Sequence, residues 1–199
     1  DDVAYNTLML AYVNGNDIEG AKNVFKQMKD NGIEPDTTSY GTLISYFASI
    51  NDKYATWALY EEMRQKEVFR SPVIMHSLIQ LCIRNRELDR AQSLFEHVKN
   101  NMYDPTDKLY ASMMFICAKR KEAEKALSLM DEMVAKNIDP SLESYLSLMM
   151  ALGSRRDFYL DAFNVYEQMK ELEQIPDSPR MNLVLMKICS NAADIQRFE

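Results

Sequence analysis

The sequence predicts an all-α fold, an α-solenoid of stacked helix-turn-helix repeats. Three observations lead to this prediction. A similar segment returns every 35 residues, and the apolar residues within each copy follow helical spacing. The 199 residues include only 5 Gly and 6 Pro, so long helices are seldom interrupted. A period of this length is typical of solenoids, in which each hairpin buries its faces against its neighbours.

The first helix of each repeat is marked by apolar side chains at positions i, i+3, i+4 and i+7. The third copy shows the pattern over Met75–Cys82. The six copies of this helix begin their stripe at Tyr5, Tyr40, Met75, Tyr110, Tyr145 and Met181. The last step is 36 residues long, and we expect the extra residue between Arg155 and Tyr159, in a turn between two helices.

A second stripe with the same spacing follows in each repeat and begins with a small residue. These stripes begin at Ala21, Thr56, Ala91, Ala126 and Ala162. We expect Asp17 to be the N-cap of the first of these helices, and Gly32 to end it in the left-handed conformation. A proline that blocks continuation of the helix follows at Pro35, Pro105, Pro140 and Pro176.

Several function classes find no support in the sequence. No apolar run approaches the roughly 18 residues of a membrane span. The three cysteines, Cys82, Cys117 and Cys189, form no CxxC pair and are interpreted as core residues, and with two histidines they are too few for a zinc site. Without a catalytic constellation or a Gly-rich phosphate loop, we expect no enzyme, cofactor or metal. The chain begins at Asp1 and ends within a shorter sixth copy, so we expect a longer protein.

One known family matches this pattern from end to end. The first repeat reads Val3-Ala4-Tyr5-Asn6-Thr7-Leu8-Met9, then Ala21-Lys22-Asn23-Val24-Phe25-Lys26-Gln27-Met28, and closes with Asn31-Gly32-Ile33-Glu34-Pro35-Asp36. It resembles the pentatricopeptide repeat, whereas the Trp and Leu-Gly pair of tetratricopeptide repeats are missing from the first helices. The resulting repeats are 2–36, 37–71, 72–106, 107–141, 142–177 and a partial 178–199.

The resemblance implies a right-handed α-solenoid that binds single-stranded RNA in mitochondria, or alternatively in plastids. Each repeat of such a protein takes about one base, which two or three side chains read. The process served would be RNA maturation, stability or translation. RNA is therefore the expected partner, and no membrane or small-molecule substrate is expected.

The resemblance also implies which residues contact RNA. The fifth and last residues of a repeat read the base edge, which selects Asn6, Gly41, His76, Ala111, Leu146 and Asn182, together with Asp36, Ser71, Thr106, Ser141 and Asp177. The second residue packs on base faces, which selects Val3, Thr38 and Val73. Lys108 holds this position in the fourth repeat, while Glu143 and Pro179 depart from the family pattern. Only the first repeat keeps a standard base-reading pair, Asn6 with Asp36, and this pair implies uracil.

The charge distribution bears on this interpretation, because nucleic-acid binders are usually basic and this chain carries −7. The acidity is concentrated in the first and fifth repeats, whereas the three repeats between them are neutral. Basic residues gather where the first helices of the middle repeats end. They are either solvated residues that favour the helix dipole or phosphate contacts. The phosphate-contact candidates are Arg84, Lys119, Arg120 and Arg155, of which Arg84 and Lys119 align with the family's position.

An alternative interpretation is a protein-binding scaffold in an organellar complex such as the mitochondrial ribosome. The net acidity and the departures from the base-reading pattern favour it. A concave solenoid face would then hold a helix or an extended peptide of a protein partner.

Overall fold

The structure, a computed structural model, describes residues 1–101, 103–171 and 179–192. Within these ranges the chain forms eleven α-helices, one 3-10 helix and no strand, which confirms the predicted all-α fold. The α-helices are α1 (Asp2–Asn14), α2 (Ile18–Asp30), α3 (Thr37–Ser49), α4 (Lys53–Gln65), α5 (Pro72–Arg84), α6 (Leu88–Asn101), α7 (Asp107–Arg120), α8 (Ala123–Ala135), α9 (Leu142–Leu152), α10 (Tyr159–Glu171) and α11 (Pro179–Ala192). None of the described helices is both long and apolar enough to cross a membrane.

The helices pack as hairpins within two compact units, Asp1–Val98 and Lys99–Glu199. In the first unit α1 packs on α2 and α3 packs on α4, while α3 also contacts α1 and α5. In the second unit α9 contacts α7, α8, α10 and α11. Within each unit, the first helices of neighbouring repeats therefore pack on one another, as in an α-solenoid.

Residues of the predicted apolar stripes form most of the core, although Leu8 of the first stripe is 45% exposed. Met75, Leu78, Ile79 and Cys82 of α5 are each at most 1% exposed. The interpretation of the cysteines as core residues is also confirmed, because all three are buried and none of them forms a disulfide in the part of the chain that the structure describes. Burial raises the pKa of the Cys82 thiol to about 11, which keeps it protonated and unreactive at neutral pH.

The turns between helices repeat one backbone conformation at the 35-residue period. Within the hairpins, positive φ angles of 58°, 64°, 60° and 59° occur at Asn16, Asn51, Arg86 and Lys121. After the second helices they occur at Gly32, Glu67 and Asn137, with φ of 72°, 57° and 56°. The prediction for Gly32 is confirmed. The other left-handed residues were missed. Glu67, Arg86 and Lys121 belong to residue types that give no signal for this region of φ/ψ space, whereas the three asparagines belong to a type that favours it.

Two other local predictions are confirmed, whereas the predicted stop at Pro176 lies outside the described residues. The Asp17 side chain caps α2 by accepting a hydrogen bond from Gly20 N at 2.9 Å. A 3-10 helix, Arg156–Phe158, lies between α9 and α10, where the extra residue of the fifth repeat was expected. The fifth hairpin thus absorbs its insertion in the turn and leaves both helices in phase with the repeat.

A polar cluster recurs with identical residue types two repeats apart. Tyr40 Oη donates to Glu62 at 2.9 Å, and Glu62 also pairs with Lys29 of the preceding repeat. The second copy consists of Tyr110, Glu132 and Lys99, with distances of 3.0 Å for Tyr110 Oη to Glu132 and 2.7 Å for Lys99 Nζ to Glu132. Each cluster joins both helices of one repeat to the second helix of the repeat before it.

Candidate nucleic-acid interface

Asn6, Asp36 and Ser39 meet in the first unit and form the most complete part of the predicted interface. Asp36 is the N-cap of α3, where its carboxylate accepts from Ser39 N at 2.8 Å. Asn6 on α1 donates from Nδ2 to Asp36 Oδ1 at 3.1 Å. Asn6 Oδ1 accepts from Ser39 Oγ at 2.7 Å. The structure therefore brings the predicted pair together and adds a third residue that the sequence analysis missed.

The orientation of the Asn6 amide follows from the chemistry of its two partners. Burial raises the pKa of Asp36, but hydrogen bonds from Ser39 and Asn6 outweigh this effect and lower the pKa overall. The ionised carboxylate can only accept, so the amide nitrogen must face it. The amide keeps one hydrogen and one lone pair for a ligand.

Val3 lies one helical turn before Asn6 and shares its face of α1. Its side chain is 65% exposed. An apolar surface thus lies beside an oriented amide, which is the combination that a stacked and hydrogen-bonded base requires.

The structure corrects two of the predicted base-reading residues. Ala111 is 2% exposed and Leu146 is 1% exposed, so neither can contact a base. At Gly41, an added Cβ would lie 3.5 Å from Ile74 Cδ1. Ile74 is the third residue of its repeat, the position that Ser39 holds in the repeat before it. An apolar side chain thus replaces the hydroxyl that orients Asn6.

The other two predicted fifth residues remain accessible. His76 is half-buried, with Nε2 3.4 Å from Gln80 Nε2. Asn182 is exposed on α11. Its expected partner, Asp177, lies outside the described residues, so the structure places only one member of that pair.

The last residue of each of the first four repeats is the N-cap of the first helix of the next. Ser71, Thr106 and Ser141 are the N-caps of α5, α7 and α9. Ser141 Oγ accepts from Ser144 N at 3.4 Å, whereas the Thr106 side chain makes no capping hydrogen bond. Ser, Thr and Asp are the preferred N-cap residues, so this structural role could have been predicted from residue type alone.

The predicted base-packing positions lie on the surface. Val73 is 66% exposed, and Thr38 is exposed as well. Glu143, which departs from the family pattern, accepts two hydrogen bonds from Arg180 at 2.6 and 2.7 Å. The positive charge of Arg180 neutralises the Glu143 carboxylate at this position. The two residues are 37 positions apart, so local sequence patterns do not reveal the pair.

The four phosphate-contact candidates differ in their surroundings. Arg84 donates to the carbonyl oxygens of Ala48 at 2.6 Å and Ser49 at 2.9 Å. Arg155 pairs with Glu124 and Asp157. Arg120 is half-buried in the last turn of α7 and already interacts with other groups of the protein.

Lys119 is the most available of the four. It is exposed, and its Nζ lies 5.0 Å from the ring centroid of Phe115. Across the described residues, no carboxylate lies within ion-pair distance of Lys119. The same part of the chain holds no group of three or more His, Cys, Asp or Glu residues that could bind a metal ion.

Comparisons with known proteins agree with this architecture. The family model of the pentacotripeptide-repeat region of PRORP matches residues 44–198, and that of the PPR repeat family matches residues 1–49. Among curated proteins, no sequence matches this chain.

Several solved structures share the fold. The pentatricopeptide repeat protein PPR10 from maize superposes with a TM-score of 0.74 and 17% identity, over 97% of this chain and 27% of PPR10. PPR10 in complex with an 18-nt psaJ RNA element superposes with a TM-score of 0.66 and 20% identity, over 100% of this chain and 28% of PPR10. The PPR domain of Arabidopsis thaliana protein-only RNase P 1, in complex with tRNA, superposes with a TM-score of 0.70 and 13% identity, over 94% of this chain and 97% of that domain.

The chain thus spans about a quarter of the length of PPR10. Sequence identities of 13 to 20% mean that the superpositions show a common fold alone. The two family models, by contrast, match the amino-acid sequence over residues 1–198. The 35-residue period, the stacked hairpins and the two family models together show that this chain belongs to the pentatricopeptide repeat family.

Proposed function

We propose that this chain binds single-stranded RNA and acts in RNA maturation, stability or translation in mitochondria, or alternatively in plastids. Membership of the pentatricopeptide repeat family supports the proposal, as does the likeness to two structures that contain RNA, PPR10 with its psaJ element and the PPR domain with tRNA. The observation that carries it is the Asn6 amide, which Asp36 and Ser39 hold in one orientation beside the exposed Val3.

The first repeat takes one base in this proposal. The base packs against Val3, and its edge meets the remaining N–H and lone pair of Asn6. A uracil edge carries both a donor and an acceptor, so it can use both groups. The second and fourth repeats add little discrimination, because Gly41 has no side chain and Ala111 is buried.

Two variants test the base-reading role. Asn6→Thr, with Asp36 kept, is expected to move the base preference from uracil toward guanine, as the family pattern implies. Ser39→Ala removes the donor to Asn6 Oδ1, and is expected to reduce the preference for uracil over cytosine by about tenfold, within the range of a single base contact. Selection from randomised RNA, followed by titration of the selected sequences, measures both effects.

Ser49→Ala is the matched control, because its hydroxyl is exposed and donates to Tyr46 O within α3, at 2.7 Å. It should keep the wild-type base profile. Equal profiles for the wild type and Asn6→Thr would show that this pair does not read RNA. Absence of binding to any single-stranded RNA at low salt would reject the proposed function.

A second candidate function is a protein-binding scaffold, which an aromatic surface in the first unit favours. Tyr54 is 88% exposed on α4, and beside it the Arg90 guanidinium lies 3.5 Å from the ring centroid of Trp57. Tyr, Trp and Arg are the residues most enriched in binding hot spots. If Tyr54→Ala abolished capture of a partner from an organellar extract while RNA failed to bind, this candidate would replace the first.

A further inference from the structure

Three lysines surround a pocket of about 270 Å³ in the second unit, where α7 and α9 end beside α11. Lys119 and Lys121 come from the end of α7, and Lys187 comes from α11. Apolar side chains that include Phe115 and Ile188 line the rest of the pocket. A cationic rim over an apolar floor can hold a ligand that has an anionic group at one end and an uncharged body.

The charge of this pocket differs from that of the whole chain. No Asp or Glu is among its lining residues, whereas the chain as a whole carries −7. The ends of α7 and α9 expose carbonyl groups and carry partial negative charge, so they do not attract an anion. Any attraction for an anion therefore comes from the lysine side chains.

The floor of the pocket is held in place by a close approach of α11 to the end of α9. Asn191 on α11 donates to Gly153 O at 2.9 Å. A Cβ at Gly153 would lie 2.3 Å from Ile188 Cγ1, so only glycine permits this approach. The three lining segments are thus fixed by direct packing within one unit.

We propose that this pocket binds the terminal phosphate of a nucleotide, either at the end of an RNA strand or on a free mononucleotide. A phosphomonoester carries about −1.5 to −2 charges and three acceptor oxygens at neutral pH, which suits three ammonium groups better than the single charge of an internal phosphodiester. The volume lies just below the usual range of ligand pockets, about 300 to 1,000 Å³, so the pocket limits its ligand to no more than about one nucleotide. The strand-end form rests on the proposed RNA binding, whereas the mononucleotide form does not.

The test compares one RNA sequence in three forms, with a 5′-phosphate, with a 3′-phosphate and with neither, and adds a uridine monophosphate titration. One phosphorylated form should bind about tenfold more tightly than the unphosphorylated strand, the effect of one hydrogen bond to a charged group. Lys187→Ala should remove this difference. Lys125→Ala, which removes the same charge from the same unit but lies outside the pocket lining, should keep it.

The pH dependence separates a terminal from an internal phosphate. The second pKa of a phosphomonoester is about 6, so the advantage of the phosphorylated strand should shrink on acidification through that pH, whereas a phosphodiester contact would not change for this reason. If the mononucleotide binds and RNA does not, the pocket assignment stands and the proposed function fails. If RNA binds without any effect of a terminal phosphate, and the mononucleotide does not bind, the pocket assignment is wrong and the proposed function stands.

Discussion

The guanidinium of Arg84 on α5 closes the end of α3 by donating to Ser49 O at 2.9 Å. The last carbonyl groups of a helix have no partner within it, so this contact satisfies groups of the preceding repeat. Lys119, the equivalent residue 35 positions later, instead lies over the ring of Phe115 and at the rim of the lysine pocket. Two cations that align in the sequence therefore have different surroundings in the structure.

Arg84→Ala and Lys119→Ala should separate stability from binding. Arg84→Ala is expected to lower the free energy of unfolding by about 1 kcal/mol, because charged hydrogen bonds to two carbonyl groups are lost at an exposed site. Lys119→Ala is expected to change it by less than about 0.5 kcal/mol, as surface substitutions usually do. Lys119→Ala should instead weaken RNA binding for all sequences and reduce the salt slope by about 0.7.

Urea denaturation and RNA titrations at several salt concentrations measure these effects. Arg84→Lys is a useful control, since it keeps the charge but not the planar donor geometry, and should recover only part of the lost stability. Equal destabilisation by Arg84→Ala and Lys119→Ala would contradict the assignment of capping to Arg84 alone.

Glu132→Gln tests the polar cluster that joins the third and fourth repeats. Burial raises the pKa of Glu132, but hydrogen bonds from Lys99 and Tyr110 outweigh this effect, so its pKa in the folded protein lies below the ordinary value of 4.5. The ionised form therefore contributes stability that is fully present above about pH 4.5 and is lost as the pH falls through the folded-state pKa. At pH 7 the variant should be less stable by about 1 kcal/mol, and the difference should shrink in acid.

Denaturation curves at a series of pH values check this prediction. Glu62→Gln should behave in the same way, because Glu62 holds the equivalent place in the first cluster. Glu167→Gln is the control, since Glu167 forms an exposed pair with Lys170 and such pairs contribute little. If Glu132→Gln were less stable than the wild type by the same free energy of unfolding at pH 3 as at pH 7, ionisation of Glu132 would not be the source of the stability.

Periodicity within a repeat predicted the helices and their buried faces, but not the contacts between repeats. Ser39 reaches Asn6 across 33 residues, and nothing in either segment signals the other. Leu8 matches the apolar template of the first helices and is nevertheless 45% exposed, because burial depends on what packs against each side of a helix. For the same reason, the burial of Ala111 and Leu146 could not be read from their positions in the repeat.

Gly32→Ala and Glu67→Gly should change stability in opposite directions. Both residues follow a second helix with positive φ, 72° at Gly32 and 57° at Glu67. A Cβ at Gly32 would meet nothing within 4 Å, so the cost of alanine, about 1 kcal/mol, comes from the backbone conformation alone. Glycine at position 67 should remove a similar strain and stabilise the protein by less than about 1 kcal/mol, because the greater freedom of glycine in the unfolded chain offsets part of the gain.

Thermal and urea denaturation of both variants measure this pair of effects. Gly41→Ala is a control for the loss of glycine flexibility, since its backbone does not have positive φ and a Cβ there would make ordinary contact with Ile74. Stabilisation by Gly32→Ala would be incompatible with the left-handed turn.

Ala126→Glu tests the buried face of α8. Ala126 is 0% exposed and begins a second-helix stripe, so a carboxylate there would lose its hydration and find no partner designed for it. The expected loss is about 3 kcal/mol or more, which lowers the melting temperature by roughly 6 to 12 °C in a chain of this size. Val134→Glu, on the same helix but 56% exposed, introduces the same charge and should shift the melting temperature by no more than about 2 °C. Circular dichroism melting curves of the two variants compare the same new side chain, glutamate, at a buried and at an exposed position of α8. Equal melting temperatures would show that the face of α8 beginning at Ala126 is not buried.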